Sequence, residues 1–341
     1  MTLVVRDTLD RLSAGQGLSV EQMRDVLGEV MAGRVGEADI ARLLTLLAAK
    51  GETVDEVAGA ALALREHMTP IRTSRPRVVD TCGTGGGGSK TFNVSTTAAI
   101  VAAAAGAAVA KHGNRSVTSR TGSADVLAEL GVNIDAGVAQ VEACLDELGL
   151  CFCYAPLMHP SMKRVSAVRK RLGTRTIFNV LGPLANPAGA TRQLLGAGLP
   201  HLRTLLAGAI SKLGTERTLV VSGEDGLGDV TISGVTNVSD VTPGGTREYR
   251  WTPEDFGLER SGTTGLEVES PVHSAIVIRK VLKGEPGSPR TIVVLNAAAA
   301  LVAAGECDEP REAARRAAAA IDSGAAAELL AKLAERSHQE A

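Results

Sequence analysis

The feature that most constrains the fold is a glycine-rich segment between a strand pattern and a helix pattern. The β-branched run Val78–Cys82 is followed by GTGGGGSK over Gly83–Lys90 and then by an Ala-rich helical pattern over Thr96–Ala105. Consecutive glycines let backbone amides approach an anion, and the helix N-terminus adds its positive dipole end. This order predicts a phosphate-binding loop at Gly83–Gly88, whereas glycines alone would equally fit a loop without a ligand. The spacing matches neither a P-loop nor GxGxxG with a downstream acid.

The same alternation of short β-rich runs and longer helical runs continues to the end of the chain. It predicts a large α/β domain over residues 71–341 with a mostly parallel central sheet. Further strands are expected at Ala108–Lys111, Cys151–Ala155, Gln193–Gly198, Thr218–Ser222 and Ser274–Ile278. Further helices are expected at Ser123–Leu130, Gly137–Leu148, Leu202–Lys212, Thr291–Ala304 and Glu309–Arg336.

The first seventy residues contain helical patterns only. Ser19 with Gln22, and Thr53 with Glu56, have the spacing of capping boxes that open helices at residues 20–31 and 54–68. Pro70 ends the helical run. We therefore expect a small all-helical domain over residues 1–70.

Composition excludes several classes of protein. The net charge of −2 gives no electrostatic field that would recruit a nucleic-acid backbone. The longest apolar stretch, Ala98–Ala110, is too short to cross a bilayer, and Met1–Arg6 has no basic and apolar leader pattern. The five cysteines form no CxxC pair, which favours reduced thiols. A cytoplasmic protein without membrane or nucleic-acid partners is the expectation.

A second polar segment, AKHGNRSVTSRTGSADVLAELG, covers Ala110–Gly131 directly after a predicted strand. It brings cations and hydroxyls into one loop: Lys111, His112, Asn114, Arg115, Ser116, Thr118, Ser119, Arg120 and Ser123. Open α/β sheets bind ligands at the carboxyl ends of their strands, so the cluster predicts a site for an anion-rich ligand. Taken singly, each residue fits a solvated loop, and His112 fits an ordinary hydrogen-bonded histidine.

A third segment, between Phe152 and Pro187, is strongly basic. It contains His159, Lys163, Arg164, Arg169, Lys170, Arg171 and Arg175. A basic helix is usually a solvated face, and we interpret Lys163, Lys170 and Arg171 in this way.

Read in order, these segments resemble the anthranilate phosphoribosyltransferase family, of the nucleoside phosphorylase/phosphoribosyltransferase fold. The motifs that carry the resemblance are GTGG with NVST, KHGNRSV with GSADVLAELG, VRKRLGTRTIFNVLGPLANP, and LNAAAALVAAG over Leu295–Gly305. The resemblance implies that helices from about residue 160 to 187 join the small domain and that the protein is a homodimer. It also implies Mg²⁺-assisted transfer of phosphoribose from phosphoribosyl pyrophosphate to anthranilate, with release of pyrophosphate, in tryptophan biosynthesis.

The resemblance also implies roles for individual residues. The donor would be bound by Gly83, Thr84, Gly85, Gly86, Asn93, Ser95, Thr96, Lys111 and Ser123. The acceptor would be bound by His112, Asn114, His159, Arg169, Gly182 and Pro183. Arg169 would bind the acceptor carboxylate, since a guanidinium can form two parallel hydrogen bonds with a carboxylate.

Three positions depart from the family pattern. Gly87 stands where an acid is expected, Gly228 and Asp229 replace an acidic pair, and Met158 replaces a tyrosine. Ser95 and Asp229 are the candidate metal ligands, with Glu224 or Asp225 as possible additions.

The departures keep two alternatives open. One is a paralogous transferase that uses another aromatic acceptor or a variant donor. The other is a non-catalytic binding protein of the same fold, with its basic segment between Arg164 and Arg175 facing nucleic acid.

Overall fold

The computed structural model describes residues 2–85, 90–116 and 120–340. Four helices open the chain: α1 (Leu3–Ser13), α2 (Val20–Met31), α3 (Glu37–Lys50) and α4 (Val54–Glu66). Both predicted capping boxes are confirmed, with Ser19 and Gln22 at the start of α2 and Thr53 and Glu56 at the start of α4. Their local hydrogen bonds satisfy backbone donors that a helix N-terminus leaves unpaired.

The described residues after α4 build a seven-stranded sheet in the order β3-β2-β1-β4-β5-β6-β7. Its strands are β1 (Val78–Gly83), β2 (Ala108–Gly113), β3 (Leu150–Tyr154), β4 (Arg192–Gly196), β5 (Arg217–Gly223), β6 (Thr236–Thr242) and β7 (Gly245–Trp251). The first five are parallel to one another, and β6 and β7 are antiparallel to their neighbours. The predicted fold class, a small helical domain and a larger α/β domain with a mostly parallel sheet, is confirmed.

Helices cover both faces of the sheet. The helices that follow α4 are α5 (Val94–Ala104), α6 (Ser123–Glu129), α7 (Val138–Leu148), α8 (Ala155–Met158), α9 (Lys163–Leu172), α10 (Phe178–Leu181), α11 (Pro200–Leu213), α12 (Pro271–Leu282), α13 (Ser288–Ala304), α14 (Pro310–Asp322) and α15 (Ala325–Arg336). No helix in the described part of the chain is long and apolar enough to span a bilayer.

Alternate residues of the central strands enter two separate cores. In β4, Leu194 belongs to the larger core with α5 and α13, while Leu195 belongs to a second core. The second core contains side chains of α1–α4 together with Val165 and Val168 of α9. Because side chains alternate across a strand, each face of the sheet has its own helical layer. Helices from the 160–187 region therefore pack with the N-terminal bundle, while the division at residue 70 stays a prediction.

The predicted strand at Ser274–Ile278 is wrong, because these residues lie inside α12. The run SAIVI has the β-branched composition of a strand. Ser270, however, caps the helix by accepting the His273 backbone N–H, and Pro271 occupies its first turn. Buried residues then recur at helical spacing, with Ser274, Ala275 and Ile278 facing inward.

Two further differences concern the C-terminal half. The single helix predicted over Glu309–Arg336 is divided into α14 and α15, because Gly324 adopts a left-handed φ of 79°. The hairpin of β6 and β7 has no counterpart among the strands expected from the sequence.

Candidate active site

A cavity of about 540 Å³ lies at the carboxyl ends of β1, β2 and β4. The chain passes from β1 to β2 on one side and later to β4 on the other, so the cavity sits where the strand order reverses. Open α/β sheets bind ligands at such switch points. Predicted site residues in its wall are Gly83, Gly85, Asn93, Ser95, Thr96, Lys111, His112, Asn114, Ser123 and Asp229.

Glycines let three backbone segments meet at the cavity floor. A Cβ atom on Gly196 would lie 1.6 Å from the carbonyl oxygen of Gly228, so no side chain fits there. A Cβ on Gly228 would lie 3.1 Å from the backbone of Gly198. Thr84 turns toward the same region, where its hydroxyl accepts the Gly198 N–H at 3.1 Å, and it does not line the cavity.

The N-terminal turn of α5 supplies polar groups on one wall. Asn93 precedes the helix, and Ser95 and Thr96 occupy its first turn. Thr96 is 1 % exposed, and its hydroxyl has no hydrogen-bond partner among the described residues. Because a buried hydroxyl is costly without a partner, this one suits a ligand oxygen. The helix start adds unpaired backbone donors and a positive dipole end.

Lys111 is a buried cation between the glycine floor and α5. Its ammonium group donates to the Thr81 carbonyl at 2.5 Å and lies 3.5 Å from the Ser95 hydroxyl. Burial lowers the pKa of Lys111, and the charge of Asp80 partly offsets that effect. Asp80 is fully buried, and burial raises its pKa while Lys111 opposes the rise. Lys111 therefore places a cation at the cavity wall, and its counter-charge, the Asp80 carboxylate, is buried in the protein.

Two further cations line the cavity near its mouth. Lys90 and Arg120 are exposed, and both contact Val268. The Val268 N–H donates to the Lys90 carbonyl at 2.8 Å, and the Arg120 guanidinium donates to the Val268 carbonyl at 3.2 Å. Both lie in segments that the sequence predicts to be ligand-binding loops, although neither was among the residues expected to bind the donor. With Lys111 they make the cavity electropositive and suited to a polyanion.

His112 lies in the cavity wall next to the Gly182–Leu184 segment. Its Nδ1 lies 3.1 Å from the Gly182 carbonyl oxygen. A carbonyl only accepts, so Nδ1 carries the proton in the neutral ring and Nε2 is left as an acceptor. Burial lowers the pKa of His112 to about 4; the nearby charge of Lys111 acts in the same direction, and the hydrogen bond to Gly182 opposes it. Nε2 is buried and has no partner among the described residues.

His159 lies beside His112, with the two ring centroids 5.0 Å apart. Burial lowers the pKa of His159 to about 3, and His112 contributes in the same direction. The Ala185 backbone partly opposes this shift, although neither ring nitrogen has a hydrogen bond of normal geometry within the described residues. Both rings are therefore neutral at physiological pH.

Gln193 connects the short helical turn Gly182–Leu184 to the sheet. Its side-chain amide donates to the Pro183 carbonyl at 2.7 Å and lies 3.4 Å from the Asp80 carboxylate. The neighbouring carbonyl of Gly182 is bound by His112. Two consecutive carbonyls are thus fixed by side chains of β4 and β2. Sequence reasoning missed Gln193 because it was read only as part of a strand.

Arg169 lies on α9 and is half-buried. Its guanidinium carbon lies 5.6 Å from the Phe178 ring centroid, and burial lowers the pKa of Arg169. It forms no ion pair within the described residues, whereas Arg171 on the same helix pairs with Glu37 at 2.6 Å. The solvated reading of Arg171 agrees with its exposure. Arg169, His159, Gly182 and Pro183 do not line the cavity itself.

Asp229 is the acidic side chain that lines the described part of the cavity. Burial raises the pKa of Asp229 to about 6, and the charge of Lys111 opposes the rise. Asp225 cannot easily move in to help, because its carboxylate accepts the Leu227 N–H at 3.1 Å and the Ser233 hydroxyl at 2.6 Å. No cluster of three acidic, His or Cys side chains suited to a metal occurs among the described residues.

Some expected site residues lie outside the described ranges. These are Gly86, Gly87, Gly88, Thr118 and Ser119. Met158, where the family pattern has a tyrosine, is 1 % exposed and belongs to the larger core, away from the cavity lining as described.

Family models, curated relatives and solved structures all match this chain to the same family. Residues 6–68 match the helical bundle domain of a glycosyl transferase family, and residues 75–327 match its a/b domain. The anthranilate phosphoribosyltransferase of Moorella thermoacetica is 46% identical over 96% of each chain. The solved structure of anthranilate phosphoribosyltransferase from Thermus thermophilus has a TM-score of 0.92 and 40% identity, covering 98% of this chain and 100% of its own. The Saccharomyces cerevisiae enzyme in complex with PRPP and Mg has a TM-score of 0.89 and 26% identity, with 99% and 98% covered.

Proposed function

This chain belongs to the anthranilate phosphoribosyltransferase family of pentosyl-transferring glycosyltransferases, and we propose that its own cavity joins anthranilate to phosphoribosyl pyrophosphate with release of pyrophosphate. The observation that supports this activity for the cavity is that Lys111 and His112 are adjacent in β2. These consecutive residues of β2 face two different half-sites, one rich in cations and one neutral.

The donor half-site is the electropositive part of the cavity. Its pyrophosphate would be held by the glycine floor, by the first turn of α5 and by the ammonium group of Lys111. Gly83 and Gly85 offer backbone without side chains, and the Thr96 hydroxyl, which has no partner within the described residues, offers a donor. These groups are all suited to anionic oxygens. Ser123, at the start of α6, completes the donor wall, and its hydroxyl donates at 3.3 Å to the carbonyl of Asn114, the expected acceptor residue that follows β2.

A magnesium ion fits this site as a partner of the donor phosphates. Mg²⁺ is commonly bound by one or two carboxylates together with substrate phosphates, and Asp229 supplies one carboxylate opposite Lys111. The Ser95 hydroxyl faces the same space. When bound, the ion would neutralise charge on the pyrophosphate oxygens.

The acceptor half-site lies around His112, His159 and the Gly182–Pro183 segment. Both imidazoles are neutral, which suits an aromatic ring better than charged walls would. Arg169 would bind the acceptor carboxylate, because its guanidinium is half-buried and has no carboxylate partner among the described residues. His112 Nε2, which has no partner in the described part of the chain, would accept a hydrogen bond from the acceptor amine.

The reaction forms a C–N bond between the aryl amine and the anomeric carbon as the C–O bond to pyrophosphate breaks. The bonding electrons leave with pyrophosphate, and the amine proton then passes to the released pyrophosphate or to solvent. His112 orients the amine rather than keeping its proton, because the pKa of His112 is lowered to about 4. Positioning of two substrates and stabilisation of the leaving charge therefore account for catalysis.

We further propose a cytoplasmic homodimer that forms through the helical domain. Leu3 and Val4 on α1 are apolar and are 70% and 40% exposed. Neighbouring apolar side chains exposed on a helix are a place where a second chain can pack. Light scattering of the purified protein tests this proposal, with twice the chain mass expected and the mass of one chain as the contrary result.

The activity itself is tested by measuring pyrophosphate release. The protein should release pyrophosphate when donor, Mg²⁺ and anthranilate are all present, and release should stop when anthranilate is omitted. Release with a different aromatic acid but not with anthranilate would favour the alternative acceptor.

A further inference from the structure

Helix α12 carries a buried hydroxyl that reaches the donor half-site from a distant part of the chain. Ser274 is fully buried. Its Oγ accepts the backbone N–H of Asn93 at 3.2 Å and donates to Asn93 Oδ1 at 2.8 Å. Ser274 therefore holds both the backbone and the side chain of a residue in the cavity wall.

A second hydroxyl completes the arrangement on the other side of the amide. The Thr121 hydroxyl donates to the same Asn93 Oδ1 at 2.8 Å. An amide oxygen has two lone pairs, so these donors fill both. The amide NH₂ group is consequently fixed on the opposite edge, where one hydrogen lies toward the Thr121 carbonyl at 3.5 Å.

The orientation of this amide matters for an anionic ligand. Phosphate oxygens only accept hydrogen bonds at neutral pH, so an NH₂ edge attracts them and a carbonyl edge repels them. Ser274 already accepts the Asn93 N–H, which directs its own hydrogen to Oδ1. Rotation of the amide by half a turn would break the two hydroxyl contacts to the oxygen.

We propose that Ser274 is a positioning residue for the donor, which keeps the NH₂ group of Asn93 turned toward the pyrophosphate. This role rests on the proposed function, because it assumes that the cavity binds phosphoribosyl pyrophosphate. Ser274 acts through Asn93 and does not line the cavity.

The segment before α12 is hydrogen-bonded to the residues that precede Asn93. The Phe92 N–H donates to the Leu266 carbonyl at 2.8 Å, and the Val268 N–H donates to the Lys90 carbonyl at 2.8 Å. Residues 266–268 are therefore hydrogen-bonded, backbone to backbone, to the segment that leads into α5. The Ser270 cap then starts α12 one turn before Ser274.

The test compares Ser274→Ala with Ser270→Ala, which makes the same substitution one turn earlier in the same helix. Donor affinity is measured by calorimetry with phosphoribosyl pyrophosphate and Mg²⁺, and thermal midpoints are recorded for each variant. Ser274→Ala should weaken donor binding about tenfold, the effect of one or two lost hydrogen bonds. Ser270→Ala should lower the thermal midpoint and leave donor affinity unchanged.

Steady-state kinetics separate positioning from general damage. Ser274→Ala should raise the KM of the donor and leave both the KM of the acceptor and kcat close to wild type. If Ser274→Ala does not fold, Ser274→Cys keeps the volume with a weak donor and should weaken donor binding severalfold.

Several results would overturn the role of Ser274. One is normal donor binding by the folded variants while the wild type binds the donor. Another is equal weakening by Ser270→Ala, which would assign the effect to the helix. A wild-type protein that does not bind the donor would overturn the proposed function and this role together.

Discussion

The side-chain amide of Gln193 donates a 2.7 Å hydrogen bond to the backbone carbonyl of Pro183. The contact ties the acceptor-side segment to β4, while His112 ties the preceding carbonyl to β2. Because both strands also line the cavity, the two proposed half-sites share one structural support.

Gln193→Met removes this tie and keeps the side-chain volume. The Pro183 carbonyl and the Asp80 carboxylate lose a donor inside the protein, which should cost about 1–3 kcal/mol of unfolding free energy. The KM of anthranilate should rise severalfold, and the KM of the donor should change little. Urea unfolding and steady-state kinetics measure both effects. An unchanged KM for anthranilate in a destabilised variant would show that Gln193 has a structural role only.

Arg169→Ala should raise the KM of anthranilate by about 10²-fold through loss of a bidentate carboxylate contact. Arg171→Ala provides a matched control on the same helix, because Arg171 pairs with Glu37 at the surface. Exposed ion pairs contribute little, so the control should behave as wild type. Equal increases in the KM of donor and acceptor for Arg169→Ala would contradict the carboxylate role.

Asp229→Asn should raise the Mg²⁺ concentration needed for half-maximal activity at least about tenfold, since it removes the cavity carboxylate. In the wild type, donor binding should weaken as the pH falls through about 6, where Asp229 becomes protonated. Donor binding by Asp229→Asn should not weaken in this way as the pH falls.

The stability of Asp229→Asn should change in the opposite direction to its donor binding. An acid whose folded-state pKa is raised stabilises the fold at low pH and loses this contribution as the pH rises through the folded pKa. The variant should therefore have a higher thermal midpoint than wild type at pH 8 and an equal midpoint at pH 3.5. A lower midpoint at pH 8 would show that Asp229 is a structural anion instead.

The buried histidines predict an acid-sensitive fold. The pKa of His159 is lowered to about 3, so its neutral ring stabilises the fold above pH 6.5 and loses this contribution as the pH falls toward the folded pKa. Between pH 6.5 and 4.5 the loss should be about 2 kcal/mol.

Urea unfolding of His159→Gln should show a pH dependence smaller by that amount. His201→Gln, which changes an exposed histidine, should keep the wild-type dependence. Identical pH profiles for the wild type and His159→Gln would contradict a buried neutral ring at position 159.

Local patterns in the sequence were enough for much of the fold. The capping boxes at Ser19 and Thr53 involve partners three residues away, so the sequence displays both partners together. The glycine segment and the polar end of β2 likewise predict a ligand site, because strand ends in a parallel sheet converge, and a cavity lies at these strand ends.

Other features depend on long-range packing. Ser274 contacts Asn93 across 181 positions of the chain, and its β-branched neighbours favoured a strand. The β6–β7 hairpin adds antiparallel strands to the edge of a sheet whose pattern predicted parallel ones. Asp225 shows the same limit, since only the structure reveals that its carboxylate is already engaged by Leu227 and Ser233.

The central claim is that this cavity transfers phosphoribose to anthranilate. The most direct measurement is the loss of anthranilate fluorescence when the protein is mixed with phosphoribosyl pyrophosphate across a range of Mg²⁺ concentrations. We expect a progressive loss that requires protein, donor and Mg²⁺, with one pyrophosphate released per anthranilate consumed. Constant fluorescence at every Mg²⁺ concentration, from a protein that binds the donor in calorimetry, would contradict it.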